Sequence, residues 1–148
     1  MTMTQRLHGG LALAAALLAA CSTPDAPKAP APPPVIAHAG QRAINVTGDD
    51  TGASIVLESA QSLIVRLAIN VTSGQEWSVV DLKPGVLATQ GPKFERALRN
   101  AGSAEGEGFV VWQFAPQSAG TVTLNFELRR PRSLQPATQF VRYDVVVK

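Results

Sequence analysis

The sequence predicts an all-β sandwich of seven or eight strands over residues 38–148, preceded by a removable signal peptide over 1–20 and a proline-rich linker over 21–37. Three observations carry this. Beyond residue 38, apolar residues alternate with polar ones at a period of two, the pattern of a strand with one face in a core and the other in water. Clusters of Gly, Pro, Ser, Thr and Asp punctuate those runs at short intervals. The first 37 residues show neither pattern: an uncharged apolar run gives way to a stretch dense in proline.

At the N-terminus, Arg6 supplies a positive charge, and Gly9 to Ala20 is apolar and uncharged. That run is shorter than the roughly 20 residues a membrane-spanning helix needs, and it suits the apolar region of an export signal. It ends in Leu18-Ala19-Ala20-Cys21, which resembles the bacterial lipobox. The resemblance implies that Cys21 is lipidated on sulfur after cleavage. Each buried methylene contributes about 0.8 kcal/mol, so two or more acyl chains anchor stably where one does not. Ser22 follows in place of an aspartate, which favours an outer-membrane anchor facing the periplasm. Cys21 is the only cysteine, so no internal disulfide can form and the domain must rely on its core. Between Ser22 and Ala37 stand six prolines. They forbid helix and favour an extended spacer of about 3.1 Å per residue, a reach of roughly 50 Å.

The strand candidates follow in order. Ala43–Val46 and Ser54–Glu58 flank Thr47-Gly48-Asp49-Asp50. Leu63, Val65, Leu67 and Ile69 alternate with Ile64, Arg66 and Ala68. Trp77–Leu82 and Val86–Thr89 flank Lys83-Pro84-Gly85. Val110, Trp112 and Phe114 form one face of the next, and Val122, Leu124, Phe126 and Leu128 one face of the longest. Val141, Tyr143, Val145 and Val147 complete the set. A short helical turn is conceivable over Phe94–Asn100, and nothing else reads as helix. Such a run of short strands argues for a sandwich with one core.

The residue inventory excludes most enzymatic chemistry. His8 lies in the signal and His38 at the linker boundary, so no histidine is expected inside the sandwich, and the chain's one thiol, Cys21, is committed to lipid. Ser-His and Cys-His nucleophiles and a transition-metal cluster are therefore not expected. Asp49, Asp50, Glu105 and Glu107 read as solvated turn residues, and Gly106-Glu107-Gly108 precedes no helix, so it is no phosphate cradle. Thirteen basic residues oppose eleven acidic ones; without Arg6 the excess is one, which is no polyanion-binding signature. No enzyme activity, cofactor, metal or nucleic-acid partner is expected, and a monomer suffices.

What remains is recognition through loops. Three segments lie between strong strands: Asn70-Val71-Thr72-Ser73-Gly74-Gln75-Glu76-Trp77, Gly102 to Phe109, and Arg129-Arg130-Pro131-Arg132-Ser133-Leu134-Gln135-Pro136. In this order they resemble the chagasin family of cysteine protease inhibitors. The family's first motif is Asn-Pro-Thr-Thr-Gly-Tyr-x-Trp; Asn70, Thr72, Gly74 and Trp77 match it, Ser73 is a close substitute, and Val71 and Gln75 depart. The second is Gly-x-Gly-Gly; Gly106 and Gly108 match and Phe109 departs. The third is Arg-Pro-Trp; Arg130 and Pro131 match and Arg132 departs.

The resemblance, which runs from about Ala53 to Lys148, implies an immunoglobulin-like sandwich whose three loops wedge into the cleft of a papain-like cysteine protease. The first loop would cover the catalytic cysteine and the other two would flank it. By this reading Val71 loosens the first loop, while Gln75 and Arg132 each remove an aromatic contact of the kind that dominates interface energy. The alternative is an immunoglobulin-like envelope lipoprotein that keeps the scaffold as a structural or interaction module without inhibiting a protease.

Overall fold

The computed structural model describes residues 31–37, 40, 42–98 and 105–148. The signal peptide, Cys21 and most of the proline-rich segment lie outside the described residues, as do 99–104. Nine strands form two sheets: β1 (Val35–Ile36), β2 (Ala43–Thr47), β3 (Ser54–Leu57), β4 (Ser62–Asn70), β5 (Glu76–Val80), β6 (Leu87–Arg96), β7 (Glu107–Pro116), β8 (Gly120–Arg129) and β9 (Gln139–Val147). One sheet has the order β1-β3-β9-β8-β5 and the other β2-β4-β7-β6. The all-β sandwich expected from the alternation is the fold observed.

The differences from expectation have local causes. Val35 and Ile36, assigned to the linker, pair in parallel with Ser54 and Ile55, and Ser54 donates to the Pro34 carbonyl at 2.8 Å. The prolines before them lack N–H groups, but Val35 and Ile36 regain donors and β-branched side chains. β6 runs seven residues beyond the Thr89 at which the sequence ended it. Gly91-Pro92 reads as a breaker; here the register shifts between Gln90 and Lys93, and Gly91 takes φ 112°. β6 pairs with β7 alone, and an edge strand tolerates a proline because one side has no ladder to complete. Of the helical turn conceived over Phe94–Asn100, Phe94 to Arg96 are strand, and 99–100 fall outside the described residues.

The core is built from the alternating residues of both sheets. Phe126 of β8 sits at its centre, edge-on to Trp112 at 5.0 Å, Tyr143 at 6.1 Å and Phe114 at 6.2 Å between ring centroids. Such pairs add about 0.5–1.5 kcal/mol each beyond area burial. Tyr143 is buried, and its hydroxyl donates to the Thr47 carbonyl across the sandwich. Burial, and then the carboxylates Asp50 and Asp49, push the phenol well above its ordinary pKa, so it remains a donor.

At one end, two further devices fix the sheets. β2 stops opposite Arg66, so β4 continues without that neighbour, and the Ala68 carbonyl in this extension accepts from the buried Trp77 indole at 2.9 Å. Trp77 belongs to the other sheet, so this bond ties the two together beneath the β4–β5 crossover. Gly108 of β7 is buried between Ile69 and Arg96. A Cβ there would stand 2.5 Å from the Glu95 carbonyl oxygen and 2.5 Å from the Phe94 ring, so only glycine fits.

Two stability predictions follow from these contacts, both read by urea unfolding. Trp77→Phe should lower stability by about 0.5–1.5 kcal/mol, because the part-buried bond from the indole to the Ala68 carbonyl is lost. Gly108→Ala should cost about 1–3 kcal/mol through overpacking against backbone that cannot yield. An unchanged midpoint in either variant would refute the corresponding contact.

Candidate functional site

Register alone brings the three loops to one end. Asn70, the last residue of β4, lies opposite Glu107, the first of β7, and Arg96, the last of β6, opposite Gly108. In the other sheet Glu76 opens β5 opposite Arg129 at the end of β8, and Gln139 opens β9 opposite Leu128. The first loop, Val71–Gln75, therefore crosses between sheets, with the β6–β7 hairpin loop on one side and the β8–β9 hairpin loop on the other.

The first loop is a single 3-10 turn, Val71–Ser73, closed by Gly74 in the left-handed region at φ 68°. Asn70 caps it: its Oδ1 accepts from the Thr72 backbone N–H at 2.9 Å and from the Thr72 hydroxyl at 2.6 Å. The Ser73 hydroxyl accepts from the Gln75 N–H at 3.3 Å. Nothing lies within 4 Å of where a Cβ on Gly74 would stand, so that glycine serves backbone conformation and leaves open space before it.

Both departures from the family's first motif are used internally. The Val71 N–H, which a proline would lack, donates to the Gly106 carbonyl at 3.0 Å. Val71 thus stitches the first loop to the second and does not loosen it. Gln75 donates from its side-chain amide to the Thr138 hydroxyl at 2.7 Å, and that hydroxyl donates to the Leu128 carbonyl at 3.1 Å. The first loop is thereby tied to the base of the third. Thr138 carried no sequence signal as a loop residue, since its partner lies 63 positions away.

The second loop is described only from Glu105. Gly106 takes φ 86°, and a Cβ on it would meet the Thr72 side chain at 2.7 Å and Asn70 Oδ1 at 2.9 Å. It is a contact glycine between loops. Gly108 and Phe109, assigned to the loop, lie inside β7. Phe109 faces outward, and the Arg66 guanidinium stands 5.0 Å above its ring.

The third loop begins with a tight turn in which the Ser133 N–H donates to the Arg130 carbonyl at 3.2 Å. Pro131 holds its first central position and Arg132 its second, at φ 57°. This is the type II arrangement, in which proline presets the first torsion and the second residue carries positive φ. Arg130, Pro131 and Arg132 are exposed, whereas Trp77 is buried and offers a partner no ring. The structure thus gathers Asn70, Thr72, Ser73, Gly74, Gln75, Gly106, Arg130, Pro131 and Arg132 at one edge, with Trp77 and Gly108 as supports beneath it.

The chain matches the family model described as "Chagasin family peptidase inhibitor I42" over residues 56–147. No curated relative matches it in sequence. Among solved structures it is similar to the cysteine protease inhibitor EhICP2 from Entamoeba histolytica, with TM-score 0.61 and 15% identity over 72% of this chain and 95% of that one. It is also similar to amebosin, with TM-score 0.60 and 17% identity over 74% of this chain and the whole of that one. At such identities the likeness concerns the fold. The family match spans most of both sheets and all three loops, and the chain belongs to the chagasin family of peptidase inhibitors, which are not enzymes.

Proposed function

We propose that the chain is a reversible inhibitor of papain-like cysteine proteases, which it stops by filling the active-site cleft with its three loops. The observation that carries this reading is the lateral bonding of the edge: the first loop is held by Val71 N–H on one side and the Gln75 amide on the other. A wedge must enter a cleft without losing much freedom, and loops already joined to one another lose little on binding. The turn at Gly74 presents backbone to the cleft floor, while exposed Arg130, Pro131 and Arg132 flank it. From residue 38 onward the chain has no thiol, and its one histidine is His38 at the boundary with the proline-rich linker.

The same reading places the inhibitor in the cell envelope, tethered by lipid on Cys21 to the outer membrane and facing the periplasm. The lipobox-like Leu18-Ala19-Ala20-Cys21 supports this, and the prolines that follow supply a spacer.

The purified chain, titrated against papain, should inhibit reversibly at or below micromolar concentration. Gly74→Glu should raise Ki at least tenfold while the chain still folds, at a cost of about 1–2 kcal/mol for the strained positive φ, because the added side chain stands in the open space before the loop and obstructs the cleft. No inhibition by the parent chain would refute the reading, and equal potency of the variant would refute the role of the first loop. Cys21→Ser, expressed in a bacterial host, should move the protein from the membrane to the soluble fraction; retention in the membrane would refute the anchor.

A further inference from the structure

Leu134, in the third loop, is fully exposed, at 105% of its reference surface. It therefore contributes nothing to the core, and the turn it follows makes no demand for leucine. Yet its backbone is held on both sides. The Arg130–Ser133 turn precedes it, and the Gln135 N–H donates to the Ser133 hydroxyl at 3.1 Å, which brackets Leu134 within a small side-chain-closed turn. The Thr138 N–H donates to the Leu128 carbonyl at 2.8 Å and closes the loop at its base. An apolar side chain kept in water on a braced backbone is the form of an interface anchor, since little ordering remains to be lost when it is covered.

Its neighbours define what would cover it. Arg130 and Arg132 are exposed on the same turn, and among the described residues neither has a carboxylate partner. Arg129 differs, being engaged with Glu127. Guanidinium groups flanking an apolar side chain complement an apolar pocket with a carboxylate-bearing rim.

We propose that Leu134 is the specificity-determining anchor of the third loop, seated in an apolar subsite of the target protease whose acidic rim is read by Arg130 and Arg132. The proposal rests on the inhibitor reading above, and it names the protease class as one with an apolar, acid-rimmed subsite beside the cleft.

The test compares Ki of the purified parent chain, Leu134→Ala and Arg132→Glu against a panel of papain-like proteases, with thermal unfolding of each. Leu134→Ala should raise Ki about ten- to a hundredfold, the equivalent of removing one buried leucine from an interface. Its unfolding temperature should not move, because no internal contact is lost. Arg132→Glu should slow association at low ionic strength, and the difference should shrink as salt screens it. If the parent chain inhibits and Leu134→Ala inhibits equally, the anchor is refuted and the inhibitor reading stands. If Leu134→Ala unfolds earlier in step with its weaker inhibition, Leu134 is structural and the proposal falls. If the parent chain inhibits no protease of the panel, both readings fall.

Discussion

The hydrogen bond from the Trp77 indole to the Ala68 carbonyl is the constraint on which the binding edge depends. The chain leaves one sheet at Asn70 and enters the other at Glu76, and a crossover of this kind is free to splay unless its two roots are joined. The bond joins them one step beneath the loop, from the buried indole to the backbone of the exposed Ala68. With the roots fixed, the short turn at Val71–Ser73 has a defined height and direction. Its side bonds to Gly106 and Thr138 then have partners to meet. The aromatic cluster around Phe126 plays the complementary part, holding the sheets at the spacing the indole spans.

The edge also shows how substitutions at motif positions can change the use of a side chain without dissolving the site. Relative to the family pattern, Val71 gains an N–H and Gln75 loses a ring. Each change is taken up as a bond between loops, so contact area toward a partner is exchanged for stiffness among the loops themselves. A stiffer edge with fewer aromatic anchors loses less entropy on docking but gains less from burial. The balance then depends on whichever apolar side chains are still presented outward.

Much of this was legible in the residues. Strands β4, β7, β8 and β9 announced themselves by alternation, because each has one face in the core and one toward water, while β2, β3, β5 and the start of β6 showed as shorter runs between turn signals. The three motifs, in order, located the loops, since a glycine at positive φ and a proline in a turn leave local signatures. What could not be read were pairings across long separations. Gln75 and Thr138 carry no pattern that joins them, and Val71 reads as an apolar residue although its backbone N–H is what matters. Gly108 reads as a loop glycine because sequence does not show the Glu95 carbonyl and Phe94 ring pressed against it. The length of β6 was hidden for the opposite reason: Gly91-Pro92 is a true breaker signal that an edge strand absorbs as a bulge.

The short strand at Val35–Ile36 closes one of the four edges of the two sheets. It covers the outer edge of β3, which would otherwise offer a row of unpaired N–H and C=O groups to another molecule. The new edge it creates is only two residues long, and Pro32, Pro33 and Pro34 immediately before it have no N–H to extend a ladder. A second chain finds almost nothing there to pair with. The terminal prolines of the spacer thus double as an end-stop against growth of the sheet at this edge.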